Sequence, residues 1–188
     1  MCSPDYLTRM GWKAMVIGMM LAGQTAAETL FDDFSGEADT RWDYVADGVM
    51  GGVSSGTADI IGSGAQAILR LRGTVSTENN GGFIQVRRRF DNDWPRAAEG
   101  LRLTVKGNGA LYYVFLKTPN LSRIWHSYRA SFVAPAHWQT IDLPFDMFGP
   151  SHMGMPAMYD PLEVTSVAIV AYGDDYEADI SVREISLF

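Results

Sequence analysis

The chain has 188 residues, 47% apolar and 20% charged, which suits one ordinary globular domain with a core of its own. Its formal net charge of −7 disfavours non-specific binding to nucleic acid or to an anionic membrane surface. A 12% aromatic share and 19 glycines lean toward a β-rich fold, where aromatics fill half-buried faces and glycines make the turns.

Residues 1–27 read as a secretory signal peptide. Arg9 and Lys13 form a positive n-region, and Ala14 to Gly23 form an apolar block too short to span a bilayer comfortably. Gln24 to Ala27 then supply small residues for cleavage after Ala26 or Ala27. The expectation is an exported protein, periplasmic or secreted. Cys2, the one cysteine, leaves with this segment, so the mature chain from Glu28 to Phe188 has no disulfide, thiolate nucleophile or thiolate metal ligand. Cleavage leaves 13 basic against 21 acidic residues, and no later stretch is long and apolar enough for a transmembrane span.

The mature part shows strand periodicity almost throughout, with no low-complexity linker and no repeat. Near its start, "TLFDDF" is suited to pair with the closing "ISLF". "AILRLRG" and "GGFIQVRRRF" follow a glycine-rich loop. "GLRLTVKG" sets Leu101, Leu103 and Val105 on one face and Arg102, Thr104 and Lys106 on the other. "ALYYVFLKT" is apolar on both faces, which predicts a central strand. "RIWHSYRASF", "HWQTIDLPF", "VTSVAIVAY" and "ADISVREISLF" complete the set. In the last, Ile180 and Val182 have one parity and Ile185 and Leu187 the other, which predicts a β-bulge near Arg183-Glu184. Short strands, glycine turns and no βαβ alternation predict an all-β fold, a two-sheet antiparallel β-sandwich in a single domain.

The loop "DGVMGGVSSG", Asp47 to Gly56, is the first place to look for chemistry. Its glycines fall at neither phosphate-loop spacing, and no lysine or helix follows. Gly52 to Gly56 satisfy G-x-S-x-G, but the serine elbow of hydrolases needs a strand-to-helix turn, and extended "TADIIGSG" follows instead. A packed turn remains: Gly48, Gly51 and Gly52 permit positive φ and close approach, Val49, Met50 and Val53 drop inward, and Trp42 and Tyr44 act as lids. His126, His137 and His152 form no local metal motif, and the parity of His126 with Ile124 and Tyr128 places it in the core. Asp32-Asp33 and Asp174-Asp175 offer oxygen ligands for a structural calcium, although solvated loop acids are the commoner outcome. Glu78 has no evident carboxylate partner for glycosidase chemistry. No enzyme activity, cofactor or metal is expected.

"WDYVADGVMGGVSSG", "GTVSTENNGGFIQVR", "VKGNG", "YRASF" and "HWQTIDLPFDMF" together resemble the CIA30 family, the complex I intermediate-associated protein 30 family. The resemblance runs from about Phe31 to Phe188. Its most specific blocks mark Trp42, Asp47, Gly48, Met50, Gly51, Gly52 and Ser54, then Gly81, Gly82 and Phe83, as a structural motif. The resemblance implies a galactose-binding-domain-like jelly roll, an architecture shared with carbohydrate-binding modules. It also implies a non-enzymatic role, since the best-known members are chaperones for assembly of respiratory complex I.

Two functions follow. One is an assembly-factor-like module that binds a protein partner, which calls for an exposed apolar patch. The other is a periplasmic module for a glycan or small ligand, which calls for an aromatic platform with convergent polar groups. Strand parity offers one face for either. Arg123, Trp125, Ser127 and Arg129 share one outward row and Gln85, Arg87 and Arg89 another, with Asn79 and Asn80 at the rim. Trp125 stacks and Arg87 and Arg129 donate forked hydrogen bonds in the functional reading. The competing reading is a solvated face with internal Arg–carboxylate pairs.

Overall fold

A computed structural model describes residues 28–188. The expected signal peptide therefore lies outside the described residues. Twelve strands make up the framework: β1 (Thr29–Asp32), β2 (Trp42–Ala46), β3 (Ser55–Ile61), β4 (Ile68–Val75), β5 (Phe83–Arg89), β6 (Gly100–Gly107), β7 (Leu111–Lys117), β8 (Tyr128–Val133), β9 (Gln139–Pro144), β10 (Gly149–Pro150), β11 (Ser166–Tyr172) and β12 (Tyr176–Leu187). The one α-helix among them, α1 (Ala38–Arg41), is a single turn.

The strands form two six-stranded antiparallel sheets, so the chain is a jelly-roll-like β-sandwich. The first runs β3-β4-β12-β6-β9, with β1 also on β12; the second runs β10-β8-β7-β11-β5-β2. Period-two alternation explains both. Leu101, Leu103 and Val105 of β6 and Leu69 and Leu71 of β4 point inward and are buried. They meet Ile84 and Val86 of β5, Tyr112, Val114 and Leu116 of β7 and Val167 and Ile169 of β11 in one core.

The long strand β12 organises the first sheet. Its first half pairs with β4 and its end with β1, Thr29 opposite Leu187. On its other edge, pairing with β6 shifts between Val182 and Glu184. This is the bulge that the parity change required, and it lets Ile180, Val182, Ile185 and Leu187 all be buried. In the second sheet β7 lies inside, between β8 and β11, as its two apolar faces demand.

"RIWHSYRASF" is only partly a strand. β8 starts at Tyr128, and Arg123 to Ser127 belong to the loop after β7. Parity does not govern a loop, so Ile124 is 82% exposed and His126 is half-buried beside the exposed His152, with ring centroids 5.2 Å apart, rather than in the core. Within the acidic pair Asp32-Asp33, Asp32 is not a solvated loop acid. The Asp32 side chain is 1% exposed and accepts from Arg41, Arg88 and the Trp42 indole at 2.9, 2.7 and 2.8 Å. With its oxygens so engaged, Asp32 is a clamp between β1, β2 and β5 rather than a calcium ligand.

Candidate functional site

The glycine loop closes around a buried carboxylate. Asp47 is fully buried. Its Oδ1 accepts from the Ser54 N–H at 3.0 Å. Its Oδ2 accepts from the Ser54 hydroxyl at 2.5 Å, the Gly82 N–H at 2.6 Å and the Phe83 N–H at 3.1 Å. Ser54 Oγ in turn accepts from the Ser76 N–H at 2.9 Å. Burial pushes the Asp47 carboxyl up, but the hydrogen bonds from Ser54, Gly82 and Phe83 outweigh it and hold the group below its ordinary value. The two glycine-rich blocks of the sequence are thus two halves of one latch. A Cβ on Gly52 would lie 2.4 Å from the Asp47 carboxyl carbon, and one on Gly81 2.5 Å from Oδ2.

This corrects the packed-turn picture in detail. Gly51 has positive φ (91°) at the end of a short 3-10 turn, whereas Gly48 has neither positive φ nor a crowded Cβ position. Val49, Met50 and Val53 do not drop inward; they are 77%, 51% and 48% exposed. Trp42 is not a lid over the loop but packs on Phe34 at 5.5 Å and donates to Asp32. Tyr44 is half-buried, its hydroxyl is buried without a partner among the described residues, and burial and the Asp47 charge raise its pKa. Ser54 serves the latch, with no histidine among its hydrogen-bond partners.

The outer face of the second sheet is the candidate surface. Strand register sets Asp43, Arg87, Ala168, Phe115 and Arg129 side by side in one row across β2, β5, β11, β7 and β8. The next row holds Val45, Gln85, Val170, Tyr113 and Ser131, and Tyr172 lies opposite Phe83 beyond it. On the other side, Ser166 separates Arg89 from Lys117. The middle strand β11 contributes small side chains, Ser166, Ala168 and Val170, all buried beneath longer neighbours, before it ends in Tyr172. The result is a floor flanked by two raised rows.

Aromatic rings line it. Tyr113, Phe115 and Tyr172 pack edge to face at centroid distances of 5.6 to 6.0 Å, with Phe83 against the same cluster. Arg129 lies over them, its guanidinium carbon 4.2 Å from the Phe115 ring centre and 4.6 Å from that of Tyr172. Its Nε donates to Ser127 Oγ at 2.9 Å, which tethers the side chain.

The residues expected at a site are distributed as follows. Arg87 and Arg129 share this face, three strand spacings or about 14 Å apart. Neither makes an ion pair among the described residues, so the internal Arg–carboxylate pairing does not occur there. Asn79 and Asn80 are exposed, with φ of 57° and 61°, in the turn before β5 at the Phe83 end. Trp125 is 48% exposed in the loop before β8, at the opposite end, with Arg123 5.7 Å from its ring. Parity reasoning missed Tyr113, Phe115 and Tyr172. The signal was the two-sided apolarity of "ALYYVFLKT", which marks a second covered face as well as a central strand.

The outer face of the first sheet differs in kind. In its depression, lined by Glu28, Arg102, Thr104, Thr140, Asp142 and Glu184, the one cation is already paired. Arg102 donates to Asp142 at 2.6 and 2.8 Å and to Glu28 at 3.3 Å. Arg70 forks onto Asp179 at 2.9 and 2.8 Å beside it.

Solved structures with the same fold include a family 11 carbohydrate-binding module from Clostridium thermocellum in complex with a β-1,3-1,4-mixed-linked tetrasaccharide. It is 19% identical over 86% of this chain and 95% of that one, with a TM-score of 0.69. A second is the family 11 module of a cellulosomal cellulase from the same organism, 18% identical over 86% and 94%, with a TM-score of 0.70. A family 30 carbohydrate-binding module of a cellulosomal cellulase, also from C. thermocellum, is 13% identical over 86% and 97%, with a TM-score of 0.54. At these identities the likeness establishes the fold alone. No curated protein matches the chain in sequence. A family model does match, over residues 32–181, the span that holds the Asp47 latch and the aromatic face. The chain therefore belongs to the family of Complex I intermediate-associated protein 30 (CIA30).

Proposed function

We propose that this protein is a non-catalytic binding module, exported by way of residues 1–27, that takes a saccharide on the outer face of its second sheet. The observation that carries the reading is the Tyr113–Phe115–Tyr172 cluster beside the small-residue floor of β11. Aromatic rings cover the C–H faces of a sugar, while Gln85, Arg87 and Arg129 on the same face reach its hydroxyls. The structural neighbours named for carbohydrate binding support the reading through a shared architecture. In this reading Asn79 and Asn80 form one rim of the site and Trp125 the other.

A second reading, an assembly-factor-like module with a protein partner, draws on a different observation. The latch loop exposes Val49, Met50 and Val53, and Ile124, Met153 and Met158 are 82%, 102% and 84% exposed. Apolar side chains of this size on a surface suit a protein contact.

Calorimetric titration with short oligosaccharides distinguishes the two. Tyr113→Ala should weaken saccharide binding by about 2 kcal/mol, as loss of an anchoring aromatic does, while the domain stays folded with a melting temperature lower by only a few degrees, because the side chain packs on the outer face and not in the main core. Saccharide binding insensitive to Tyr113→Ala would refute the placement. Val49→Ser with Met50→Ser should leave saccharide binding intact and abolish capture of a protein partner if the second reading holds.

A further inference from the structure

The two outer faces of the sandwich treat charge in opposite ways. On the first sheet Arg70, Arg72 and Arg102 each face a carboxylate, at 2.8, 3.8 and 2.6 Å. On the second, the register brings Arg87, Arg89, Lys117 and Arg129 together with one acid, Asp43. Among the described residues none of these four cations makes an ion pair. This concentration of positive charge stands in a chain whose net charge is −7.

The cations are also held under unfavourable conditions. Arg87 Nε is buried with no hydrogen-bond partner. Burial lowers the affinity of Arg87 for its proton, and neighbouring Arg89 lowers it further. Burial likewise lowers the Lys117 ammonium, aided by Arg87, Arg129 and Arg89; its Nζ donates to the Ile124 carbonyl, a dipole rather than a charge. Asp43, beside Arg87, is the counter-charge within the face and is exposed. Asp43 offsets this mutual repulsion and partial desolvation only in part, and a bound anion would offset the rest. Arginine is suited to it, because its planar fork matches carboxylate and sulfate oxygens two at a time.

We propose that this face selects an anionic saccharide, one carrying carboxylate or sulfate groups, with Arg87, Lys117 and Arg129 meeting the charges while Tyr113, Phe115 and Tyr172 meet the rings. The proposal rests on the saccharide reading above and sharpens it. The separation of Arg87 and Arg129, about 14 Å across three strand spacings, favours an oligosaccharide with charges on more than one residue over a monosaccharide.

The test is titration of the purified protein with short oligosaccharides of equal length: a neutral glucan, an oligogalacturonate and a sulfated galactan. An anionic oligosaccharide should bind about ten-fold or more tightly than the neutral one, the factor that about 1.4 kcal/mol produces. The advantage should shrink as ionic strength rises beyond about 0.1 M. Preference between the two charged ligands assigns carboxylate or sulfate. Arg87→Gln should remove about ten-fold of the anionic affinity and cost neutral binding no more than about two-fold, since the glutamine amide still reaches hydroxyls but carries no charge. Exposed Arg89→Gln, which touches no core, should move affinity in the same direction if Arg87→Gln disturbs folding. Arg70→Gln, on the opposite face, should change neither.

Neutral binding equal to anionic binding, with no effect of Arg87→Gln, overturns this proposal and leaves the saccharide reading standing. No binding of any of the three overturns both. Equal binding of poly-glutamate, insensitive to Tyr113→Ala, would show plain attraction of polyanions and also overturn the proposal.

Discussion

Replacing Asp47 by asparagine probes the latch at its centre. The carboxylate accepts four hydrogen bonds, three on Oδ2 and one on Oδ1. The best asparagine rotamer keeps its oxygen at the Oδ2 position and turns its amide nitrogen toward the Ser54 N–H. One buried donor then faces another donor, and the remaining bonds lose their charge. An orphaned buried donor costs about 1–3 kcal/mol, and weakening the other bonds brings the total to about 3 kcal/mol. For a domain of this size that lowers the melting temperature by about 6–12 °C. The acid dependence supplies an independent check. The folded-state pKa of Asp47 is depressed, so its contribution is full above the unfolded value near about 3.9 and is lost as pH falls through the folded value. Urea unfolding of wild type and Asp47→Asn should therefore show a stability gap at pH about 7 that narrows below pH about 4. Asp32, Asp142 and Asp179 are depressed too, which makes the difference between the two proteins the quantity to read. A variant that melts within about 1 °C of wild type, or a gap constant down to pH about 2.5, would refute the latch.

Gly52→Ala should destabilise by about 3 kcal/mol, since its Cβ would overlap the Asp47 side chain at 2.4 Å. Gly51→Ala, where nothing crowds the Cβ but φ is 91°, should cost only about 1 kcal/mol; equal chemical denaturation midpoints for the two would contradict the geometry. Trp125→Ala should shift stability by no more than about 0.5 kcal/mol, because the ring is half exposed on a loop. A collapse of its melting curve would mean that the ring is a core residue.

The sandwich was legible because its determinants are local. Alternation within "GLRLTVKG" fixes which face of β6 is buried whatever its neighbours are. The phase slip in "ADISVREISLF" locates the bulge within β12 by itself. The latch and the candidate face are not local. Asp47 has the look of a turn acid, and its burial depends on N–H groups at Gly82 and Phe83, supplied by a separate glycine pair. The aromatic and cationic face is assembled from β5, β11, β7 and β8, which register brings together from Phe83 to Tyr172. Trp125 was assigned to that face by parity, a rule that holds only inside a strand, and β8 starts three residues later. The sequence alone determined which residues of each strand turn inward, because side-chain direction follows from backbone period. Only the tertiary structure decided which outward rows lie side by side, because strand order and register arise from packing between segments distant in the chain.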